Sequence, residues 1–160
     1  AIKRKSKLDV AFYLAGPIDS HSPGALSEVQ VVDICESNNV QFLGNRTDLQ
    51  DVLAETHIFV LPSYYAEGVP KVLLEAAASG CAVITTDHPG CRDAIIPEET
   101  GLLVNPKDIS SLTDGLTRLL SDRDLIESMG IAGRKLAVER FSVTKVVDIH
   151  YALYHMFQKG

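Results

Sequence analysis

No stretch of the sequence reaches ~18 uninterrupted apolar residues, and no charged start leads into an apolar core and a small-residue cleavage site. The expectation is a chain with neither a membrane span nor a signal peptide. Cysteine is scarce: Cys35, Cys81 and Cys91 are odd in number, and no two form a CxxC pair. They offer neither a disulfide framework nor a zinc-ligand spacing, which fits a reducing cytosol and no bound metal. Outside a secretory route, the acceptor-like triplet Asn45-Arg46-Thr47 reads as a chance match. Positive charge is in deficit, 15 Lys and Arg against 21 Asp and Glu for a net charge of -6, so a nucleic-acid-binding surface is not expected. The one basic run, Lys3, Arg4, Lys5 and Lys7, reads as a solvated end. Neither GxxxxGK(S/T) nor GxGxxG occurs, which leaves a kinase or a dinucleotide enzyme poorly supported.

What is present is ordinary globular composition, with 46% apolar and 22% charged residues in 160, enough for one domain with its own core. Short β-rich runs alternate with helical stretches, the pattern of a Rossmann-like α/β fold in which a parallel sheet is covered by helices. The strands predicted are 9–15, 40–43, 57–61, 82–86 and a weaker 101–104. Helices are predicted at about 24–38, 47–55, 70–79 and 91–96, with three more after residue 107. Pro70 suits a first helical turn, Gly80 a left-handed stop, and Asp108 and Ser142 suit N-caps. Val143, Val147, His150, Tyr151, Tyr154 and Phe157 fall on one face of the last helix, so that face is expected to pack on its own domain, with His150 a satisfied core residue. A doubly wound domain normally opens with a strand and a helix, and here a strand is entered directly from basic residues. The expectation is a single domain, 1–160, that lacks its first strand and most of its first helix.

The segment richest in chemistry runs Pro-Ser-Tyr-Tyr-Ala-Glu-Gly-Val-Pro-Lys-Val-Leu-Leu-Glu from Pro62 to Glu75. It leaves a strand, crosses a loop and enters a helix at Pro70. Open parallel sheets bind ligands outside the carboxyl ends of their strands, where helix N-termini present free N–H groups and partial positive charge to phosphate. Gly68 lets backbone approach a ligand closely, while Glu67 and Glu75 place carboxylates on either side of that point. Paired hydroxyls of a sugar and a ribose suit such acceptors. The alternative for Glu75 is a surface ion pair with Lys71, one turn earlier and worth about 0.2 to 0.5 kcal/mol. A second loop, from Thr85 to Asp93, leaves the next strand at the same edge, so Asp87 and His88 either touch the substrate or serve as plain turn residues. Arg46, after the strand ending near Leu43, either stacks on a base or caps the crevice.

Taken together, the Glu67–Glu75 pair, the Ser-Tyr-Tyr-x-Glu-Gly-Val-Pro loop and the Thr-Thr-Asp-x-Pro-Gly-Cys-Arg loop resemble the family 4 retaining glycosyltransferases. The resemblance runs from Val10 to Phe157 and continues through Gly101-Leu-Leu-Val, Asn105-Pro-Lys-Asp, Met129-Gly-x-x-Gly-Arg134 and Glu139-Arg-Phe-Ser142. It implies the C-terminal, donor-binding half of a GT-B fold, with the acceptor-binding N-terminal domain lying outside the sequence. By the same resemblance, Glu67 contacts the donor sugar, and Glu75 holds the ribose hydroxyls. Backbone N–H groups of Gly68, Val69, Lys71 and Val72, around Pro70, reach sugar and diphosphate. The implied donor is a nucleotide-diphosphate sugar, a UDP-sugar by preference, used without a metal. The implied acceptor is a glycan or a polyprenyl-diphosphate-linked glycan, met through the missing domain by a cytoplasmic enzyme at the inner membrane face. The family's last helix crosses back to that missing domain. Its cationic leaving-group residues, near the first strand, have no matching positions here, so the fragment alone is expected to be inactive. Two rival readings remain open: a nucleotide-sugar epimerase, not expected to carry the Glu pair, and a non-catalytic scaffold with Glu67 and Glu75 as solvated charges.

Overall fold

A computed structural model describes residues 10–19, 25–65 and 68–157, so the basic run at Lys3 to Lys7, the predicted strand start at Asp9 and the predicted catalytic Glu67 lie outside the described residues. The chain forms two compact units, the first ending at Leu49 and the second beginning at Gln50.

The first unit is a β-α-β crossover of strand β1 (Phe12–Ala15), helix α1 (Glu28–Ser37) and strand β2 (Val40–Gly44). The two strands pair in parallel, Phe12 opposite Val40 and Leu14 opposite Phe42. Helix α1 starts later than its apolar pattern suggests, because Ser27 and Gln30 form a reciprocal capping box. The Gln30 amide donates to Ser27 Oγ at 3.3 Å and the Ser27 amide donates to Gln30 Oε1 at 2.9 Å. Among the described residues of this unit only Cys35 is buried.

The second unit holds helix α2 (Leu49–Ala54), strand β3 (Ile58–Leu61), helix α3 (Lys71–Ala78), strand β4 (Ala82–Thr86), a single 3-10 turn (Arg92–Ala94) and strand β5 (Gly101–Val104). Helices α4 (Ile109–Ser121), α5 (Arg123–Phe141) and α6 (Val143–Phe157) follow. The sheet is parallel in the order β3-β4-β5. All five residues of β4 are buried, as expected of a central strand covered on both faces. The core gathers Ala82 and Ile84 of β4, Leu102 and Val104 of β5, Leu119 of α4 and Met129 of α5.

The Gly-x-x-Gly-Arg stretch of α5 explains how closely that helix packs. A Cβ on Gly130 would collide with the Gly80 carbonyl, so only glycine lets α5 lie against the turn that links α3 to β4. Arg134, one turn on, donates from Nη1 to the Ala78 carbonyl at 3.0 Å and covers the carboxyl end of α3. Gly80 ends α3 at φ +86°, the left-handed stop the sequence predicts.

Four expectations shift. Pro70 is the N-cap of α3 at ψ 121° rather than a first-turn residue. The helix predicted at 91–96 shrinks to one 3-10 turn, because Pro97 disfavours helical backbone at the residue before it and Ile95 is already extended at φ -132°. The apolar face of α6 does not pack on its own unit, since every residue from Val143 to Phe157 is exposed. His150 is therefore no core histidine, and its Nδ1 lies 2.7 Å from the Val146 carbonyl on an exposed helix surface. Among the described residues no helix is long and apolar enough to cross a membrane.

Candidate functional site

Three loops leave the carboxyl edge of β3-β4-β5, and the side chains of β4 fix where the first of them starts. Thr85 Oγ1 donates to the Leu61 carbonyl at 2.9 Å, and Thr86 Oγ1 donates to the Ser63 carbonyl. Both threonines are fully buried, so each satisfies its hydroxyl only by gripping the chain as it leaves β3. Tyr64 and Tyr65 follow, exposed and stacked at 4.6 Å between ring centroids. Their hydroxyls lie 3.5 Å apart, which raises the Tyr65 phenol above its ordinary range.

The loop then delivers the chain to α3. Gly68 is exposed, Val69 half-buried and Pro70 buried. Among the described residues, its chain neighbours aside, nothing lies within 4 Å of a Cβ built on Gly68. The first turn of α3 has no side-chain cap and no acidic residue, so the amides of Lys71 and Val72 lack the usual intrahelical partners and, among the described residues, meet no competing carboxylate. One turn on, Lys71 Nζ lies 3.0 Å from Glu75 Oε1, with the lysine side chain 87% and the glutamate side chain 29% exposed. The ion-pair alternative for Glu75 is thus realised, at the few tenths of a kcal/mol that such exposed pairs contribute, about 0.2 to 0.5.

The loop after β4 is a self-closed turn. The Asp87 amide donates to the Val104 carbonyl at 2.8 Å, tying it to the end of β5, while the Arg92 amide donates to the His88 carbonyl at 2.8 Å. Arg92 Nε donates to Asp87 Oδ1 at 2.5 Å. That contact holds the guanidinium pKa above its ordinary range and occupies one carboxylate oxygen of Asp87. His88 Nδ1 lies 3.1 Å from the Pro89 carbonyl. The hydrogen bonds of this loop are those of a turn, and it lies at the same sheet edge as the start of α3.

The third loop, after β5, was not picked out by sequence as part of the site. Lys107 takes φ +59° and puts its ammonium 4.4 Å from the centroid of the Tyr64 ring. The signal for it was the Asn-Pro-Lys-Asp stretch, whose place beside the Tyr64 loop depends on β4 lying between β3 and β5. Arg46 belongs to the first unit, where Asp48 binds its guanidinium through both oxygens and is itself held below the usual carboxylate range by that contact.

A cavity of about 710 Å³ in the second unit opens elsewhere. It is lined by Thr56, His57, Ser79, Gly80, Glu127 and Arg134, at the amino ends of the strands and the carboxyl end of α3. Helix carbonyls rather than amides face that end of α3, which makes it the wrong end for a diphosphate. Among the described residues no three His, Cys, Asp or Glu side chains form a group that could hold a metal ion.

A parallel sheet covered by helices, with a loop that enters a helix start at its carboxyl edge, is the Rossmann-like arrangement, in which ligands bind outside the carboxyl ends of the strands. Residues 1–122 match the family described as Glycosyl transferases group 1, and the chain belongs to that family. It is 38% identical over 94 residues to the N,N'-diacetylbacillosaminyl-diphospho-undecaprenol alpha-1,3-N-acetylgalactosaminyltransferase of Campylobacter jejuni, covering 59% of this chain and 25% of that protein. It is 33% identical over 112 residues to the UDP-Gal:alpha-D-GlcNAc-diphosphoundecaprenol alpha-1,3-galactosyltransferase of Escherichia coli, covering 70% and 28%. The fold is that of a glycosyltransferase from Rickettsia africae, with TM-score 0.83 at 20% identity over 99% of this chain and 43% of the other. Anabaena HepE in complex with UDP gives 0.82 at 20% over 96% and 43%. The described architecture is accordingly the Rossmann-like fold of GT-B glycosyltransferases. The chain spans only about a quarter of the length of these two curated relatives.

Proposed function

We propose that this chain is the donor-binding half of a retaining glycosyltransferase that moves a sugar from a nucleotide-diphosphate sugar, preferentially a UDP-sugar, to a glycan or polyprenyl-linked acceptor. The observation that carries this reading is the start of α3. Among the described residues, the amides of Lys71 and Val72 have no partner and follow the exposed glycine backbone at Gly68, with Glu75 one turn further on. The N-terminal partial charge stabilises the diphosphate, Glu75 accepts from the ribose hydroxyls, and Glu67 engages the donor sugar. Asp87 and His88 wall the same edge, and no metal takes part. Retention places the main electrostatic demand on the departing diphosphate, which the helix start is suited to meet. The parent works in the cytoplasm at the inner membrane face, where a lipid-linked acceptor would be presented. Two relatives whose names specify diphospho-undecaprenol substrates, and neighbours whose titles record UDP and UDP-glucose, support this choice of substrates.

The Lys71–Glu75 pair favours one competing reading, a scaffold in which Glu75 is only a surface charge. Ligand-detected NMR of the chain with UDP-, GDP- and ADP-sugars separates the two. Saturable binding led by the UDP-sugar is expected, whereas no binding of any of the three at millimolar concentration favours the scaffold.

A further inference from the structure

Lys107 stands in the left-handed backbone region, at φ +59°, where a lysine is sterically disfavoured and a glycine would be at ease. The neighbouring carboxylate does not hold it there. Asp108 accepts from the Ser111 amide at 3.0 Å on one oxygen and from Asn105 Nδ2 at 3.3 Å on the other, acting as the N-cap of α4. The lysine ammonium instead sits over the Tyr64 ring at 4.4 Å, and that ring stacks on Tyr65. Ser63, the residue before the stack, is gripped through its carbonyl by the buried Thr86. The start of the loop from Pro62 to Pro70 is thus held at two successive points by two different strands' ends: main chain by β4, aromatic ring by the turn after β5.

We propose that Lys107 is a positioning residue for the donor-binding loop: its cation on Tyr64 ties that loop to the turn after β5 and so sets the approach of Gly68 and Val69 to the start of α3. The part concerning the donor rests on the function proposed above. The part concerning the loop does not. A lysine kept at a left-handed position by packing alone has no need of its charge, whereas a tether has.

Two substitutions separate these cases. Lys107→Met keeps the aliphatic stem and the strained backbone but removes the cation, and Lys107→Arg keeps a cation that still stacks on tyrosine. By NMR, the Lys107 ε-methylene protons of the unmodified chain should resonate upfield from the ring current of Tyr64. In Lys107→Met the amide resonances of Tyr65, Gly68 and Val69 should move while the melting temperature falls by no more than about 4 °C, the most that loss of one exposed cation–π contact allows. UDP affinity should fall about 2- to 5-fold, the size of an exposed cation–π contact. Lys107→Arg should restore resonances and affinity together. Unmoved Tyr65, Gly68 and Val69 amides in Lys107→Met overturn the tether, whatever the chain binds. Moved amides with unchanged UDP affinity overturn its role in donor binding. A parent chain that binds no UDP while its loop still responds to Lys107→Met removes the functional reading and leaves the tether standing.

Discussion

Two partners compete for Glu75, the proposed ribose hydroxyls and the observed Lys71, and their magnitudes keep them apart. A carboxylate accepting ribose hydroxyls contributes about 1.5 to 3 kcal/mol to binding, whereas an exposed lysine pair one turn away contributes a few tenths to folding. In a protein that binds UDP, Glu75→Ala should weaken that binding roughly 10- to 150-fold and leave the melting temperature nearly unchanged. Calorimetric titration beside Lys71→Ala provides the comparison. The lysine variant also breaks the 3.0 Å ion pair, so it should cost less than the glutamate variant if the ribose is the carboxylate's main partner. Affinity within twofold of the parent for Glu75→Ala would leave only the surface pair. A second carboxylate makes a different statement at the same scale. The Ser111 amide, with help from Asn105, holds Asp108 below its ordinary pKa. A folded-state pKa below the unfolded one adds stability at neutral pH that is lost as pH falls through the folded value. Thermal melts of the parent should therefore lose stability below about pH 5, with Asp108→Asn, which keeps the cap, showing a shallower acid limb. Identical acid limbs would remove Asp108 from that balance.

Among the elements, α5 yields the sharpest contrast, because two glycines three residues apart meet different surroundings. A methyl at Gly130 strikes the Gly80 carbonyl, while one at Gly133 finds its nearest neighbour, the Ala77 side chain, at 3.7 Å. Urea unfolding should show Gly130→Ala destabilised by about 1 to 3 kcal/mol through overpacking. Gly133→Ala should be neutral or stabilised by up to about 1 kcal/mol, the helical preference for alanine. Equal effects would mean that α5 does not press on that turn. These glycines were visible in the sequence as a motif, but the reason for the first lies in a carbonyl fifty residues earlier, which no local pattern encodes. The same limit explains the other misses. All five strands were readable, since β-branched runs such as Ala82 to Thr86 are set by local alternation and by burial on both faces. The helix at 91–96 was over-read because the effect of Pro97 on its neighbours outweighs propensity. Lys107 escaped notice because its partner, Tyr64, sits across a third strand's end. For the site, the helix start at Pro70 was legible from Pro and Gly punctuation, whereas the grip of Thr85 and Thr86 on the departing chain depended on strand order.

At the scale of the molecule, the chain's share of its relatives governs what it can do unaided. It spans about a quarter of the length of the two curated relatives compared above, and the donor site proposed for it is a helix start with no acceptor-binding surface assigned to it. The purified chain should give no detectable sugar transfer from a UDP-sugar to a lipid-linked acceptor in a radiolabel assay, and robust turnover would show that this half suffices. Among the described residues the two compact units also differ in how much they bury, Cys35 alone in the first against the whole cluster around β4 in the second. Their three thiols turn that difference into a clock. Cys81 and Cys91 are fully shielded within the second unit, Cys35 almost so within the first, and burial pushes the Cys81 thiol up to about 11. A thiol that is both inaccessible and protonated reacts with an alkylating reagent only when its surroundings open. Iodoacetamide capture of Cys35 thus times the opening of one unit and capture of Cys81 and Cys91 that of the other, each without an introduced label.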